Sequence, residues 1–246
     1  MTDKIKVLWG IPNEGNCDPS AYDNRLEMAM HIGIRQERDQ KYEFSLSTIG
    51  QVLTPIARER IAEIAIENDF DYLFMIDDDM LSPPDLIFKL LEHNVDIVAA
   101  LAFTRYPPHN PVIYNVTDGI DSVTRTKYFI NNVVKTYPKN TIVQCDAVGF
   151  GAVLIKVPVL RFVQQKFGKM FQSTCSAGED ILFCHHAGEL GIKIYCDTLN
   201  KIGHVGHPNI ITEETYEMFN DTSELRNIYG DERKYAEESY CNNPNV

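Results

Sequence analysis

Three scarcities in this chain each remove a class of explanation. No apolar run approaches the roughly 20 residues that a membrane-spanning helix needs. Met1-Thr2-Asp3-Lys4 leads straight into a strand-like pattern, without the charged and then apolar leader of a signal peptide, so a cytoplasmic location is expected. The six cysteines (Cys17, Cys145, Cys175, Cys184, Cys196, Cys241) form no C-x-x-C pair and no zinc-like spacing. In a cytoplasmic chain they are expected to be reduced and mostly buried. Excess positive charge is also missing. The net charge is −12, which argues against a general nucleic-acid footprint but leaves room for a local basic groove. No internal repeat and no low-complexity segment breaks the chain.

What remains is 246 residues with 44% hydrophobic content, enough for one large domain with a real core. The most informative stretch is Tyr72-Leu-Phe-Met-Ile76 followed by Asp77, Asp78 and Asp79. The apolar run reads as a strand buried on both faces. It cannot continue through three acids, because burying an unpaired charge is too costly. The acids therefore belong at the carboxyl end of the strand, in the crevice where open α/β sheets place ligands. Three neighbouring anions repel unless a cation holds them, and a strand that ends in acids suits a hard divalent metal bound by oxygen. Ser82-Pro83-Pro84-Asp85 follows as a helix start, with Ser82 as the cap.

The pattern before and after this stretch alternates. Strands are expected at 4–9 and 42–48. The turn Gly10-Ile11-Pro12-Asn13 ends the first, which puts Pro12 on the nucleotide-binding edge. A helix at 21–35 carries Leu26, Ala29, Met30 and Ile32 at helical spacing. Another helix opens at Thr54-Pro55, with Ala57, Ile61, Ile64 and Ala65 in one stripe. A helix near 83–93 and an apolar strand at 95–101 complete a half-domain with a mostly parallel sheet and right-handed crossovers. Such a half binds nucleotides at the carboxyl edge of its strands. Short strand-like segments at 112–116, 127–130, 141–146 and 150–156 continue it as a mixed sheet. Helices follow from Pro158 to about Phe167 and from Asp180 to Leu190, then a strand at 192–196. Trp9, the one tryptophan, is expected to close the first strand near the nucleotide pocket. His185 and His186 are adjacent on one helix and cannot both face one site. A catalytic domain over 1–205 is therefore expected, with an acidic tail over 206–246 that packs as short helices or acts as a lid.

Four elements stand in a telling order: Ile76-Asp77-Asp78-Asp79, Gly149-Phe150-Gly151, Gly178-Glu179-Asp180 and Gly203-His204-Val205-Gly206. With Arg58 on the helix before the acids, the chain resembles the GT-A fold glycosyltransferases over roughly residues 5–206. These segments are similar to the family's DxD motif, glycine-rich loop, xED motif and carboxyl-terminal metal-binding histidine. The triple Asp leaves the register of the metal ligand open, and His207 is a second histidine three residues beyond His204.

The resemblance implies a metal-dependent transferase that moves a sugar from a nucleoside-diphosphate donor to an acceptor hydroxyl, with inversion. Asp79 and His204 would hold Mn²⁺ or Mg²⁺. Asp77 would join them or reach the ribose or sugar, with Asp78 beside it on the donor side. Arg58 would point at the nucleotide or diphosphate. Gly149 and Gly151 would let backbone approach the donor sugar, or else relieve a bend in a strand. Asp180 would take the acceptor proton, and Glu179 would assist or bind the acceptor. The acceptor is a glycan, a protein or a modified base. The rival readings are a sugar nucleotidyltransferase and a non-catalytic carbohydrate- or nucleotide-binding protein of the same fold. The first of these expects a basic residue in the loop after the first strand, which the stretch 10–15 lacks.

Overall fold

Successive strands of this chain are apolar on both faces and are joined by amphipathic helices, a pattern that stacks them side by side in one covered sheet. The computed structural model describes residues 4–13, 15, 18–120, 127–174, 177–206 and 210–221. In chain order the elements are β1 (Ile5–Asn13), α1 (Pro19–Asp39), β2 (Tyr42–Gly50), α2 (Thr54–Glu67), β3 (Tyr72–Ile76) and β4 (Met80–Leu81). Then come α3 (Leu86–Glu92), β5 (Ile97–Leu101), β6 (Ile113–Ile120), β7 (Lys127–Val133), β8 (Ile142–Cys145), β9 (Ala147–Val148) and β10 (Ala152–Lys156). The last are α4 (Val157–Phe167), α5 (Glu179–Glu189), β11 (Ile194–Lys201), β12 (Gly203–Val205), β13 (Ile210–Ile211) and α6 (Glu213–Asp221).

The central sheet has seven strands in the order β2-β1-β3-β10-β5-β11-β8. Five run in the same direction, while β10 and β8 are antiparallel to their neighbours. The fold is α/β and GT-A-like, a mostly parallel half continued by a mixed sheet. Side chains alternate across it with period two. Leu8, Leu73, Met75, Val153 and Ile155 face α2, α4 and α5. Val7, Trp9, Phe74, Ile76 and Leu154 face α1 and α3. Trp9 is thus a core residue, 4% exposed. Two three-stranded sheets, β13-β12-β4 and β7-β6-β9, flank the carboxyl edge.

Three local expectations are corrected. The first strand does not stop at Gly10 but pairs with β2 as far as Asn13. Pro12 is tolerated there because β3 pairs with β1 only through Gly10 and leaves that flank of the strand unpaired. The segment 150–156 makes the sheet mixed, as expected, as an antiparallel strand inside it. Its Ala152–Ile155 stretch is wholly buried and lies between β3 and β5.

Helix α1 buries Ala21, Arg25, Met28 and Ile32, whereas Leu26 and Met30 are 47% and 69% exposed. Its rotation follows Arg25, whose polar bonds are described below. Helix α3 starts at Leu86, and Ser82 does not cap it. Pro84 disfavours helical backbone at Pro83, which delays the start. Ser82 instead lends its backbone N–H to the Asn24 side chain at 2.9 Å and its hydroxyl to Met28 Sδ at 3.0 Å.

Of the acidic tail, the described part packs on the domain. β13 pairs with β12, Tyr216 stacks on Phe103 at 5.5 Å, and Glu213 accepts from Tyr137 at 3.0 Å and pairs with Lys201. Among the described residues no helix is long and apolar enough to cross a membrane.

Candidate active site

The site begins where β3 runs out of apolar residues. Leu73, Phe74, Met75 and Ile76 are fully buried, each such side chain worth about 1.5–3 kcal/mol. Continuing into acids at that depth would reverse the gain, so the chain turns. The turn is fixed from three sides. Asp77 N–H donates to the Gly151 carbonyl at 3.0 Å, Val205 N–H donates to the Asp79 carbonyl at 2.8 Å, and Met80 N–H closes on the Asp77 carbonyl at 3.3 Å. From below, Arg25 donates to the carbonyls of Asp77 (2.8 Å) and Met80 (2.6 Å).

These contacts shape a cleft of about 850 Å³ at the carboxyl edge of the sheet. Pro12, Asp77, Asp78, Asp79, Gly149, Gly151, Asp180 and His204 all line it, so eight of the residues singled out in the sequence meet on one surface. Arg58 and Glu179 do not line it. Arg58, 3% exposed, lies beneath the cleft and spends its guanidinium on Asp77 (2.7 and 2.9 Å) and Glu179 (2.6 Å). In this arrangement it clamps Asp77 to Glu179 from beneath the cleft. Glu179 is the other half of that clamp and also lies 3.4 Å from Ser173 Oγ. His207 lies outside the described residues.

His204 and Asp79 face one another. His204 Nε2 is 3.2 Å from Asp79 Oδ2, and its Nδ1 is 2.9 Å from the Phe103 carbonyl. A carbonyl only accepts, so Nδ1 carries the hydrogen. Nε2 then turns either a proton or a lone pair toward a carboxylate, and a lone pair there needs a cation between the two. This backbone anchor on the far nitrogen is the arrangement that orients metal-ligating histidines. One oxygen and one imidazole fit Mn²⁺ or Mg²⁺ with water and phosphate completing the shell. Among the described residues no group of three or more His, Cys, Asp or Glu side chains forms a metal cage, so the protein would supply only part of that shell.

The electrostatics follow from burial. Burial alone would raise the Asp79 carboxyl, but His204 and Arg105 beside it hold it below its ordinary value. His204 is pushed down by burial and more strongly up by Asp79, ending above its ordinary value. Asp77 is pushed up to about 6 by burial, with Arg58 pulling the other way. Asp180 is also raised by burial, against Arg58 and the backbone N–H groups of Ile181 and Phe150. Tyr114 is pushed up to about 12 by burial and by Asp180.

Both glycines of the 149–151 loop are required by neighbours rather than by backbone angle. A Cβ on Gly149 would lie 2.9 Å from Val112 Cβ, and one on Gly151 would lie 2.8 Å from Met80 Cε. Packing thus explains both glycines, though both still face the cleft.

Two residues with a part in the site had been overlooked. Arg25 sits on the apolar face of α1, in step with Ala21, Met28 and Ile32. A charge in that phase was the available signal. Arg105 follows the buried strand β5 at the same carboxyl edge, and its guanidinium pairs with Asp79.

No protein-family model matches the sequence, and no curated protein is similar to it at a significant level. Solved structures do resemble its fold. The chain is similar to A197 from STIV, with a TM-score of 0.52 and 15% identity over 81% of this chain and 85% of that one. It is also similar to the apo form of a UDP-glucose pyrophosphorylase, with a TM-score of 0.47 and 11% identity over 94% of this chain and 100% of the other. The likeness to A197 concerns the fold alone.

Proposed function

We propose that the protein is a metal-dependent glycosyltransferase that moves a sugar from a nucleoside-diphosphate donor to an acceptor hydroxyl. The observation that carries this reading is the 3.2 Å approach of His204 Nε2 to Asp79 Oδ2 with Nδ1 anchored on Phe103. The charge balance of the cleft supports it. Asp18, Asp77, Asp78, Asp79 and Asp180 line the cleft, with Arg105 the one Lys or Arg among its described lining residues. A diphosphate would be repelled by that wall without a divalent cation to bridge it.

Asp79 and His204 are the protein ligands in this reading. The metal, Mn²⁺ or Mg²⁺, would supply Lewis-acid stabilisation of the departing diphosphate. Asp77, fixed by Arg58, is positioned to reach the ribose or the sugar. Asp180 takes the proton of the acceptor hydroxyl as that oxygen attacks the anomeric carbon. The new carbon–oxygen bond forms as the bond from carbon to phosphate oxygen breaks, and its electron pair leaves with the diphosphate. Attack from the face opposite the leaving group inverts the anomeric centre. Burial raises Asp180 toward the neutral range, where a carboxylate is a better base.

The test is a pair of variants studied by isothermal titration with nucleoside diphosphates, with and without Mn²⁺. Asp79→Ala should lose metal-dependent donor binding. Asp180→Asn should keep that binding and lose transfer. Equal turnover by Asp180→Asn would remove that residue from the mechanism. Metal-independent binding in both variants would instead favour a binding protein of the same fold.

A further inference from the structure

One cation already sits against the carboxylate that would hold a metal. The Arg105 guanidinium pairs with Asp79 Oδ2, the same oxygen that faces His204 Nε2. Arg105 belongs to the loop between β5 and β6. That loop is closed on itself by bonds from Thr104 N–H to the Asn110 carbonyl (2.9 Å) and from His109 N–H to the Tyr106 carbonyl (3.0 Å). The base of the side chain is therefore fixed, while the side chain as a whole is 40% exposed and lines the cleft. Among the described residues only one terminal nitrogen makes a hydrogen bond. Nε is shielded from solvent and makes no hydrogen bond among the described residues.

A guanidinium presents its donors in a planar fork that matches a phosphate, and here most of that fork is unspent. A divalent ion arriving between Asp79 and His204 would meet this positive group on the same oxygen. Like charges gathered on one carboxylate repel, so each weakens the hold of the other on Asp79.

We propose that Arg105 is a cation gate for the donor, an inference that rests on the metal-dependent reading above. Without donor it neutralises Asp79 and competes with the metal. When metal and nucleoside diphosphate enter together, the guanidinium leaves Asp79 and turns its fork, Nε included, onto the phosphate oxygens. Metal and diphosphate therefore bind cooperatively, and metal alone binds weakly. Arg105 acts as a positioning residue that couples the two ligands.

The experiment measures free Mn²⁺ by electron paramagnetic resonance in titrations of the wild type, Arg105→Met and Asp79→Asn. Each titration is run alone and with UDP, GDP, ADP and CDP in turn. In the wild type one of the nucleotides should tighten Mn²⁺ binding by about tenfold, within the usual range of coupling between sites. Arg105→Met should bind Mn²⁺ alone about tenfold more tightly than the wild type, and the gain from nucleotide should largely vanish. Arg105→Lys, which keeps the charge but not the fork, should keep weak binding of metal alone and lose most of the coupling. Unchanged Mn²⁺ affinity and unchanged coupling in Arg105→Met would overturn the gate while leaving the metal site standing. Unchanged Mn²⁺ binding in Asp79→Asn would instead overturn the metal site itself, and the gate with it.

Discussion

Arg58 Nη2 lies 2.7 and 2.9 Å from the two carboxylate oxygens of Asp77, and Nη1 of the same guanidinium lies 2.6 Å from Glu179. One buried cation thus joins the tip of β3 to the first turn of α5, two elements about a hundred residues apart in sequence. The acid triplet and the proposed base Asp180 are held at a fixed separation by this contact. Beneath the acid turn Arg25 does similar work from α1, holding the turn by its backbone carbonyls. Buried arginines therefore shape a cleft whose own surface is mostly acidic.

Removing Arg58 should cost both stability and geometry. Arg58→Met leaves Asp77 and Glu179 facing each other without a counter-charge. Their side chains are 24% and 15% exposed, so solvent relieves part of the cost. A loss of about 2–4 kcal/mol is expected, at or slightly below the range for breaking a buried ion pair. Urea unfolding followed by Trp9 fluorescence would measure it. Arg58→Lys should recover little, because a single ammonium does not span two carboxylates as a fork does.

Arg25→Met should loosen the acidic turn specifically. Arg25 is 8% exposed, and each charged hydrogen bond that it makes to a carbonyl is worth about 1.5–3 kcal/mol. Met fills much of the same space but donates nothing. Hydrogen exchange in a peptide covering 77–82 should speed up well beyond the change in 152–156. Equal changes in both would mean that Arg25 supports the whole sheet and not the turn.

The legible parts of this chain were those where a pattern repeats or a cost forbids the alternative. Buried strands announced themselves by apolar runs, and Asp77–Asp79 by the impossibility of burying three anions in one. His204 was placed with Asp79 by the resemblance to the family's motif order, and the two side chains lie 3.2 Å apart. Single charges carry no period. Arg25 interrupts the buried face of α1, so the more apolar phase of Leu26 and Met30 looked like the inward one, although the polar bonds of Arg25 decide the rotation. Arg58 was legible as a residue near the site, but its contacts with Asp77 and Glu179 were not, because a clamp under the cleft and a ligand within it look alike in sequence. Arg105 was invisible because its partner Asp79 lies 26 positions away.

The two loop glycines should respond differently to alanine. At Gly149 the new methyl would meet Val112, whose branch at Cβ leaves it little freedom to yield. A loss of about 1–3 kcal/mol is expected, typical of overpacking in a filled core. At Gly151 it would meet the far end of Met80, a flexible thioether that can move aside. Gly151→Ala should therefore cost less stability, and its effect should appear in donor affinity because Met80 adjoins Asp79. Urea midpoints and titration calorimetry on the two variants would separate these outcomes.

Asp180 gives the protein a pH dependence with a definite sign. Burial raises its carboxyl above the ordinary value of 3.8. An acid raised in this way contributes stability that is complete below its unfolded-state value and is lost as pH rises through its folded-state value. Asp180→Asn keeps a neutral side chain at every pH, so its stability relative to the wild type should improve between pH 4 and pH 7. On the proposed mechanism transfer runs the opposite way, since a base must be ionised to accept a proton. The wild-type rate should therefore fall on an acid limb whose midpoint lies above that of an ordinary aspartate. Urea midpoints at the two pH values and a pH profile of the rate check both halves. If the variant lost ground as pH rose, the ionised carboxylate would be net stabilised by Arg58, making Asp180 a charge partner of the clamp and not a poised base.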